Sequence, residues 1–326
     1  MSRSRVSFAK IRILITGSRG KSSLVRLTLA GLLANGVNAC ARITGVLPRE
    51  LSSAGERVIV RNAQGHVEEM RWWLSNVSRE TEAIVMENSA VDPQLQPLAA
   101  QWLQPTCTIW NNAREDHQEV WGLGEEAAAR ALLEGIPDEG VLVLGGELSS
   151  NQNLLKLLKK RRGPLVVTSL QGRDYREENA ALVLQTLDFM GLGGERARMA
   201  LNSLPPDIAD FRIFNLEGAL LAAAFSANDL QSTQQLFSLL GWRIEETTLL
   251  YADRLDRSAR RRSFAPFLAL PWKKVRFASQ KERADVLLQW IREDRKIFGC
   301  GNVAGAPLEL LGMLIRRDVP WVLPNM

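Results

Sequence analysis

The sequence predicts an α/β protein: a P-loop-type, mostly parallel sheet domain followed by a smaller Rossmann-like α/β domain. Three observations carry that expectation. Short apolar, β-rich runs alternate with helical patterns, as in βαβ units. Runs such as VLVL and LVV lack polar alternation, so they are expected to be buried on both faces of a sheet covered by helices. The first run, IRILIT at 11–16, leads through a glycine-containing loop directly into a helical pattern.

The elements follow in order. After IRILIT comes a long helical stretch from Ser22, and then the runs EAIVMEN, CTIWNN, VLVLGG and PLVVTS. A helix beginning near Tyr175 ends in FMGLGG, another spans 195–204, and Pro205 and Pro206 stop regular structure. The boundary is therefore placed after 206, giving domains 1–206 and 207–326. Beyond it GALLAAAF, TLLYAD, KKVRFA and KIFGCG restart the alternation.

At 326 residues and 46% hydrophobic, the chain can bury a sizeable core in two domains. Three widely spaced cysteines, Cys40, Cys107 and Cys300, argue against a disulfide framework, and a reducing cytoplasm is the expected location. No apolar run approaches the roughly 20 residues that span a bilayer. The net charge of +5 is modest, and the densest basic stretch, 254–262, has no interleaved aromatics, so no nucleic-acid partner is expected.

The loop Thr16-Gly17-Ser18-Arg19-Gly20-Lys21-Ser22-Ser23 lies where a strand ends and a helix begins. Its glycines free backbone amides to turn toward phosphate oxygens, and the helix N-terminus adds positive potential. ATP is the expected ligand, with Lys21 on the outer phosphates, Ser22 ligating Mg²⁺ and Ser23 capping the helix. Position 15 is Ile15, so this is a shortened form of the full glycine pattern. An ordinary glycine turn capping a helix is the plainer alternative.

Glu87 ends the strand AIVMEN, where the carboxyl ends of parallel strands face a ligand crevice, so its carboxylate is placed to reach a nucleotide-bound metal. The next strand, CTIW, leads into Asn111-Asn112-Ala113-Arg114-Glu115-Asp116-His117 at the same sheet edge. A lone histidine is more often a structural hydrogen-bonder than a ligand; position at a strand end singles out His117 over His66.

Taken together, GSRGKSS, ARITG with Arg42, Thr44 and Gly45, MENSAVDPQ around Glu87, and NAREDHQEVWG resemble the Mur ligase family, and within it the poly-gamma-glutamate synthase (capsule biosynthesis) branch. Further along, REENAALVLQTLDFMGL, FSANDLQST, LLYADRLDRSARRRSF and FGCGNVAGA extend the resemblance to the C-terminus. Val46 stands where the branch has threonine. No lysine occurs between Lys21 and Lys156, so the carbamylated lysine of several peptidoglycan-building relatives has no counterpart.

The resemblance implies metal ligation by Ser22, Thr44, Glu87 and His117, and nucleotide contacts from Asn112 and from Asn179, the latter with an exposed helical asparagine as its alternative. It makes Asn228, Asp229, Arg254 and Arg257 substrate-site candidates, with Asp229 and Arg254 placed in catalysis beside Lys21, Glu87 and His117. The basic run 254–262 then either holds an acidic acceptor or is a solvated helix face.

The implied activity is ATP-dependent amide-bond formation through an acyl phosphate, adding an amino acid such as glutamate to a peptide or poly-gamma-glutamate-like polymer with a free carboxylate. The 207–326 domain is expected to close over the first. Membrane-bound partner subunits and a homo-oligomer are compatible with this reading, and peripheral attachment at the inner face of the membrane would come through such partners. Two other readings stay open from the residues: a P-loop kinase or NTPase, and a nucleotide-binding partner subunit without ligation activity.

Overall fold

The computed structural model describes residues 6–61, 65–168, 175–227, 229–254 and 258–324. Contacts divide the chain into two units, Met1–Leu204 and Pro205–Met326.

In the first unit the strands are β1 (Ile11–Thr16), β2 (Ala39–Ile43), β3 (Arg49–Ser52), β4 (Gly55–Val58), β5 (Ala83–Glu87), β6 (Cys107–Trp110), β7 (Val141–Leu144) and β8 (Leu165–Val167). The helices are α1 (Lys21–Ala34), α2 (Glu68–Asn76), α3 (Gln96–Leu103), α4 (Gln118–Trp121), α5 (Glu125–Leu133), α6 (Gln152–Leu158), α7 (Tyr175–Phe189) and α8 (Glu195–Ser203). One sheet holds all eight strands in the order β4-β3-β2-β5-β1-β6-β7-β8. From β2 to β8 the pairs are parallel, while β3 and β4 add an antiparallel hairpin at one edge.

The central strands are buried because their residues are apolar on both faces. Ile13, Ile15, Val85, Ile109 and Val143 pack under α1, α7 and α8 on one side. Leu14, Ile84 and Met86 meet Met70, Trp73 and Leu74 of α2 on the other. Gly31 lets α1 approach α7, since a Cβ there would lie 2.4 Å from Leu187 Cδ1. One expectation is corrected here. β8, the run LVV, is the last strand of the sheet rather than a strand covered on both faces, and Val167 is exposed where it leaves the core.

The chain passes from β1 to β2 on one side and later crosses from β5 to β6 on the other, so its direction of winding reverses at β1. Crevices that bind ligands in open α/β sheets form at such a reversal, beyond the carboxyl ends of the strands. Register places Ile15 opposite both Glu87 of β5 and Ile109 of β6. The segments that follow β1 and β6, and the last residue of β5, therefore reach the same edge.

The second unit contains β9 (Ile213–Leu216), β10 (Ala219–Ala223), β11 (Thr248–Ala252), β12 (Lys274–Ala278), β13 (Lys296–Cys300) and β14 (Trp321–Val322). Its helices are α9 (Leu230–Ser238), α10 (Ser258–Leu268), α11 (Ala284–Ile291) and α12 (Ala306–Arg316). The strand order is β12-β11-β13-β10-β9-β14, with the first four parallel and β9 and β14 antiparallel. Aromatic packing of Phe237, Phe267, Trp272 and Phe298 fills part of its core.

Candidate active site

The loop between β1 and α1 owes its shape to two glycines at positive φ, Gly17 at 139° and Gly20 at 75°. A Cβ at Gly17 would fall 1.9 Å from Asn111 Oδ1, so only glycine lets the loop lie against β6's end. Gly20 itself is the N-cap of α1; no side chain hydrogen-bonds to that end, and no acidic residue occupies the first turn. This corrects the assignment of Ser23 as the cap, because the helix already begins at Lys21. An uncapped N-terminus with no competing carboxylate suits a phosphate group, so the loop fits a nucleotide's phosphates.

Asn111 and Asn112 hold this loop from the neighbouring strand end. Asn112 Oδ1 accepts from Ser18 Oγ at 2.9 Å and from the Arg19 amide at 3.0 Å, and the Asn111 amide donates to the Arg19 carbonyl. Both asparagines are buried. Asn112 thus shapes the loop from beneath. Asn111 was not singled out from sequence; the asparagine doublet at a strand end is the signal that could have found it.

Lys21 is half-buried and donates from Nζ to the Gly17 carbonyl at 2.5 Å. Burial pulls its ammonium below the ordinary pKa, while the charges of Glu87 and Asp116 act in the opposite sense and Arg19 adds to the lowering. Asn179 of α7 lies over the same turn: a Cβ at Gly20 would be 3.5 Å from Asn179 Nδ2.

Two polar clusters flank the loop. In the first, the Glu87 carboxylate, 1% exposed, accepts from Ser22 Oγ at 2.9 Å and from both the backbone amide and hydroxyl of Thr44. Gly45 keeps the approach open, since a Cβ there would lie 2.7 Å from Ser22 Oγ. In the second, Arg19 pairs with Asp116 at 2.9 Å, and Asp116 lies 3.4 Å from His117 Nε2. His117 sits in the left-handed region at φ 45° and packs its ring 5.1 Å from that of Trp121. Asp116 is a second residue that sequence reasoning passed over, although it adjoins the histidine that was chosen.

Among the described residues no three His, Cys, Asp or Glu side chains form a metal-holding group. The Ser22, Thr44 and Glu87 cluster supplies oxygens only, and Mg²⁺ typically takes one or two carboxylates plus phosphate oxygens and waters, so these donors fit that ion. His117 is grouped with Asp116 and Arg19 rather than with these oxygens.

The candidates in the second unit have different surroundings. Asp229 is the N-cap of α9 and accepts from the Ser232 amide at 2.7 Å, which gives it a structural task. The Arg254 amide donates to Asp253 Oδ1 at 2.8 Å. Asn228 and Arg257 lie outside the described residues.

The Mur ligase middle domain matches residues 15–224, and the poly-gamma-glutamate synthase CapB C-terminal domain matches residues 208–275. The PGA synthase CapB of Bacillus subtilis (strain 168) is 26% identical over 352 residues, covering 92% of this chain and 89% of that protein.

Among solved structures, E. coli FolC in complex with DHPP and ADP superposes with a TM-score of 0.67 at 13% identity, covering 96% of this chain and 90% of that one. A bifunctional folylpolyglutamate synthase/dihydrofolate synthase with Mn, AMPPNP and L-glutamate bound gives 0.65 at 13% identity, with 96% and 91% covered. These likenesses establish the fold. With its middle-domain match spanning most of its length, the chain belongs to the Mur ligase family of ATP-dependent amide-forming ligases.

Proposed function

We propose that this protein uses ATP and Mg²⁺ to join an amino acid such as glutamate to a growing peptide or poly-γ-glutamate-like polymer. The observation that carries the proposal is the convergence of Ser22, Thr44 and Glu87 at the start of α1, directly beside Lys21. A phosphate loop alone specifies phosphate binding; a buried carboxylate tied to the loop's own serine adds a place for the metal. The similarity of the whole chain to a PGA synthase supports glutamate as the amino acid.

In this reading an oxygen of the acceptor carboxylate attacks the γ-phosphorus, the bond to the β-phosphate oxygen breaks, and ADP leaves. The amine nitrogen then attacks the acyl carbon, the carbon–oxygen bond to phosphate breaks, and phosphate leaves as the nitrogen loses a proton. Lys21 offsets the charge that builds on the transferring group, and the amides of the loop and of α1 orient the phosphates. Mg²⁺ held by Ser22, Thr44 and Glu87, with His117 as a further candidate ligand, would neutralise phosphate charge. Asn111 and Asn112 keep the loop in register, so that alignment is set before substrate arrives.

The remaining assignments belong to the same proposal. Residues 1–206 bind the nucleotide, with Asn179 on it, and residues 207–326 supply acceptor or amine contacts through Asn228, Asp229, Arg254 and Arg257. The protein works in the cytoplasm and associates with membrane-bound partner subunits. Among the described residues no helix is long and apolar enough to cross a membrane.

The test is phosphate release from ATP by the purified protein across a panel of amino acids, with product masses recorded. Amine-dependent phosphate release with a mass increase of one amino-acid residue is the expected result. Pyrophosphate release, or turnover indifferent to every amine, would falsify the ligase reading and favour a phosphotransferase or NTPase.

A further inference from the structure

We infer that Arg42 and Arg61, joined through Glu69, form a subsite that holds a non-reacting carboxylate of the acceptor. The identity of that ligand rests on the ligase reading above.

Arg42 lies on β2, on the face that packs against α2, and is 1% exposed. Its Nη2 donates to Glu69 Oε2 at 2.7 Å, while its Nη1 is buried with no hydrogen-bond partner among the described residues. Glu69 has little left to offer. The same Oε2 accepts from Arg61 Nε at 3.1 Å and Nη2 at 2.6 Å, and Oε1 accepts from the His66 amide at 3.1 Å. Two guanidinium groups therefore share one carboxylate.

The other carboxylate whose charge acts on Arg42 is that of Glu87, already engaged by Ser22 and Thr44. Leaving part of a buried guanidinium without an acceptor is unfavourable. An incoming carboxylate supplies the missing acceptor, because it is the anion whose two oxygens match a guanidinium fork. The cluster is not sealed: the Arg61 side chain is 25% exposed and that of Glu69 15%.

Its position suits a substrate. Arg42 precedes Thr44 by two residues, about 7 Å of extended chain, and Thr44 is bonded to Glu87 in the candidate metal cluster. A carboxylate held by guanidinium groups is a poorer nucleophile, so the group bound here is a neighbour of the one that reacts. In a γ-linked glutamate chain every residue carries such a spare α-carboxylate.

The experiment is calorimetric binding of a γ-linked glutamate tetramer to the full chain, at low salt, with Mg²⁺ and a non-hydrolysable ATP analogue present. The same tetramer with its α-carboxylates amidated is the control. Wild type is expected to bind the acid form and to bind the amidated form at least about 10-fold more weakly. Arg61→Gln, at a partly exposed position, should lose about 10- to 100-fold in tetramer affinity, the range for a charged hydrogen-bonding pair. Its affinity for the nucleotide analogue should be that of wild type.

Arg42→Lys, which keeps the charge but not the fork, should show an intermediate loss in material whose thermal transition matches wild type. No tetramer binding by wild type, equal binding by wild type and Arg61→Gln, equal binding of acid and amide forms, or a parallel fall in nucleotide affinity would each overturn the subsite. Failure of the amine panel with Arg61-dependent binding intact would remove the ligase reading and leave the subsite standing. Ligation whose acceptor KM is indifferent to Arg61 would do the reverse.

Discussion

A lysine ammonium half-buried among backbone carbonyls is in a poorer solvent than water, and Lys21 is held there for what it does to phosphate. Because burial lowers its pKa in the folded state, the unfolded chain binds more protons in the window between the folded and unfolded values. Stability attributable to this residue therefore rises with pH through that window, and the penalty is complete below it. Lys21→Ala is expected to lower kcat by about 100- to 1,000-fold, the usual loss for one electrostatic donor, without lowering Tm. Melting curves between neutral and alkaline pH check the second half: the alkaline gain of wild type should be smaller in the variant.

Glu69 titrates in the other direction. Burial raises its pKa, but the Arg61 hydrogen bonds, the His66 amide and the charges of Arg61 and Arg42 outweigh that and leave it below the ordinary value. Its stabilisation is complete above the unfolded carboxylate pKa and is lost as pH falls through the folded one. Glu69→Gln should flatten the acid limb of the stability profile, which acid titration of the two proteins by circular dichroism would show. An unchanged limb would mean that the pair of arginines is held by something else.

At the scale of elements, the site depends on how closely the loop after β6 can approach its neighbours. Gly145 follows β7, and a Cβ there would lie 2.0 Å from the Asn111 carbonyl oxygen. Gly145→Ala should cost about 1–3 kcal/mol, as overpacking does, and should weaken nucleotide binding because Asn111 and Asn112 brace the phosphate loop. Nucleotide titration of folded variant separates the two effects; loss of stability with unchanged nucleotide affinity would disconnect β7 from the loop.

Asp229 poses a sharper question, since it caps α9 and is also a candidate for substrate binding. If it is a cap alone, Asp229→Asn lowers stability by a few tenths of a kcal/mol, roughly, because asparagine caps nearly as well, and kcat is preserved. A drop in kcat with stability unchanged assigns it to the reaction.

For the whole molecule, the order of strands and the phosphate loop were readable because each rests on local chemistry. IRILIT is apolar at every second position and beyond, and a glycine, lysine and serine series can be recognised wherever it follows such a run. Less was readable at the sheet's edges. β3 and β4 form a short polar hairpin with no run of apolar residues, β9 is a short strand paired with β10 across the turn at Glu217 and Gly218, and β14 is too short to carry a pattern and pairs with β9 from far along the chain. The edge position of β8 is not legible in its sequence, because three apolar residues look the same in the middle of a sheet as at its rim.

By itself the sequence determined the α/β alternation, the phosphate loop and, through its motifs, membership of an amide-forming ligase family. Those features are written in short stretches whose periodicity or residue types fix their behaviour. Only the tertiary structure decided that Glu87 is bonded to Ser22 and Thr44, that Asn111 and Asn112 support the loop, that Gly20 rather than Ser23 caps α1, and that Arg42 and Arg61 share Glu69. The physical reason is register: Glu87 stands 65 residues from Ser22, and parallel pairing through β1 alone brings the two to one edge of the sheet.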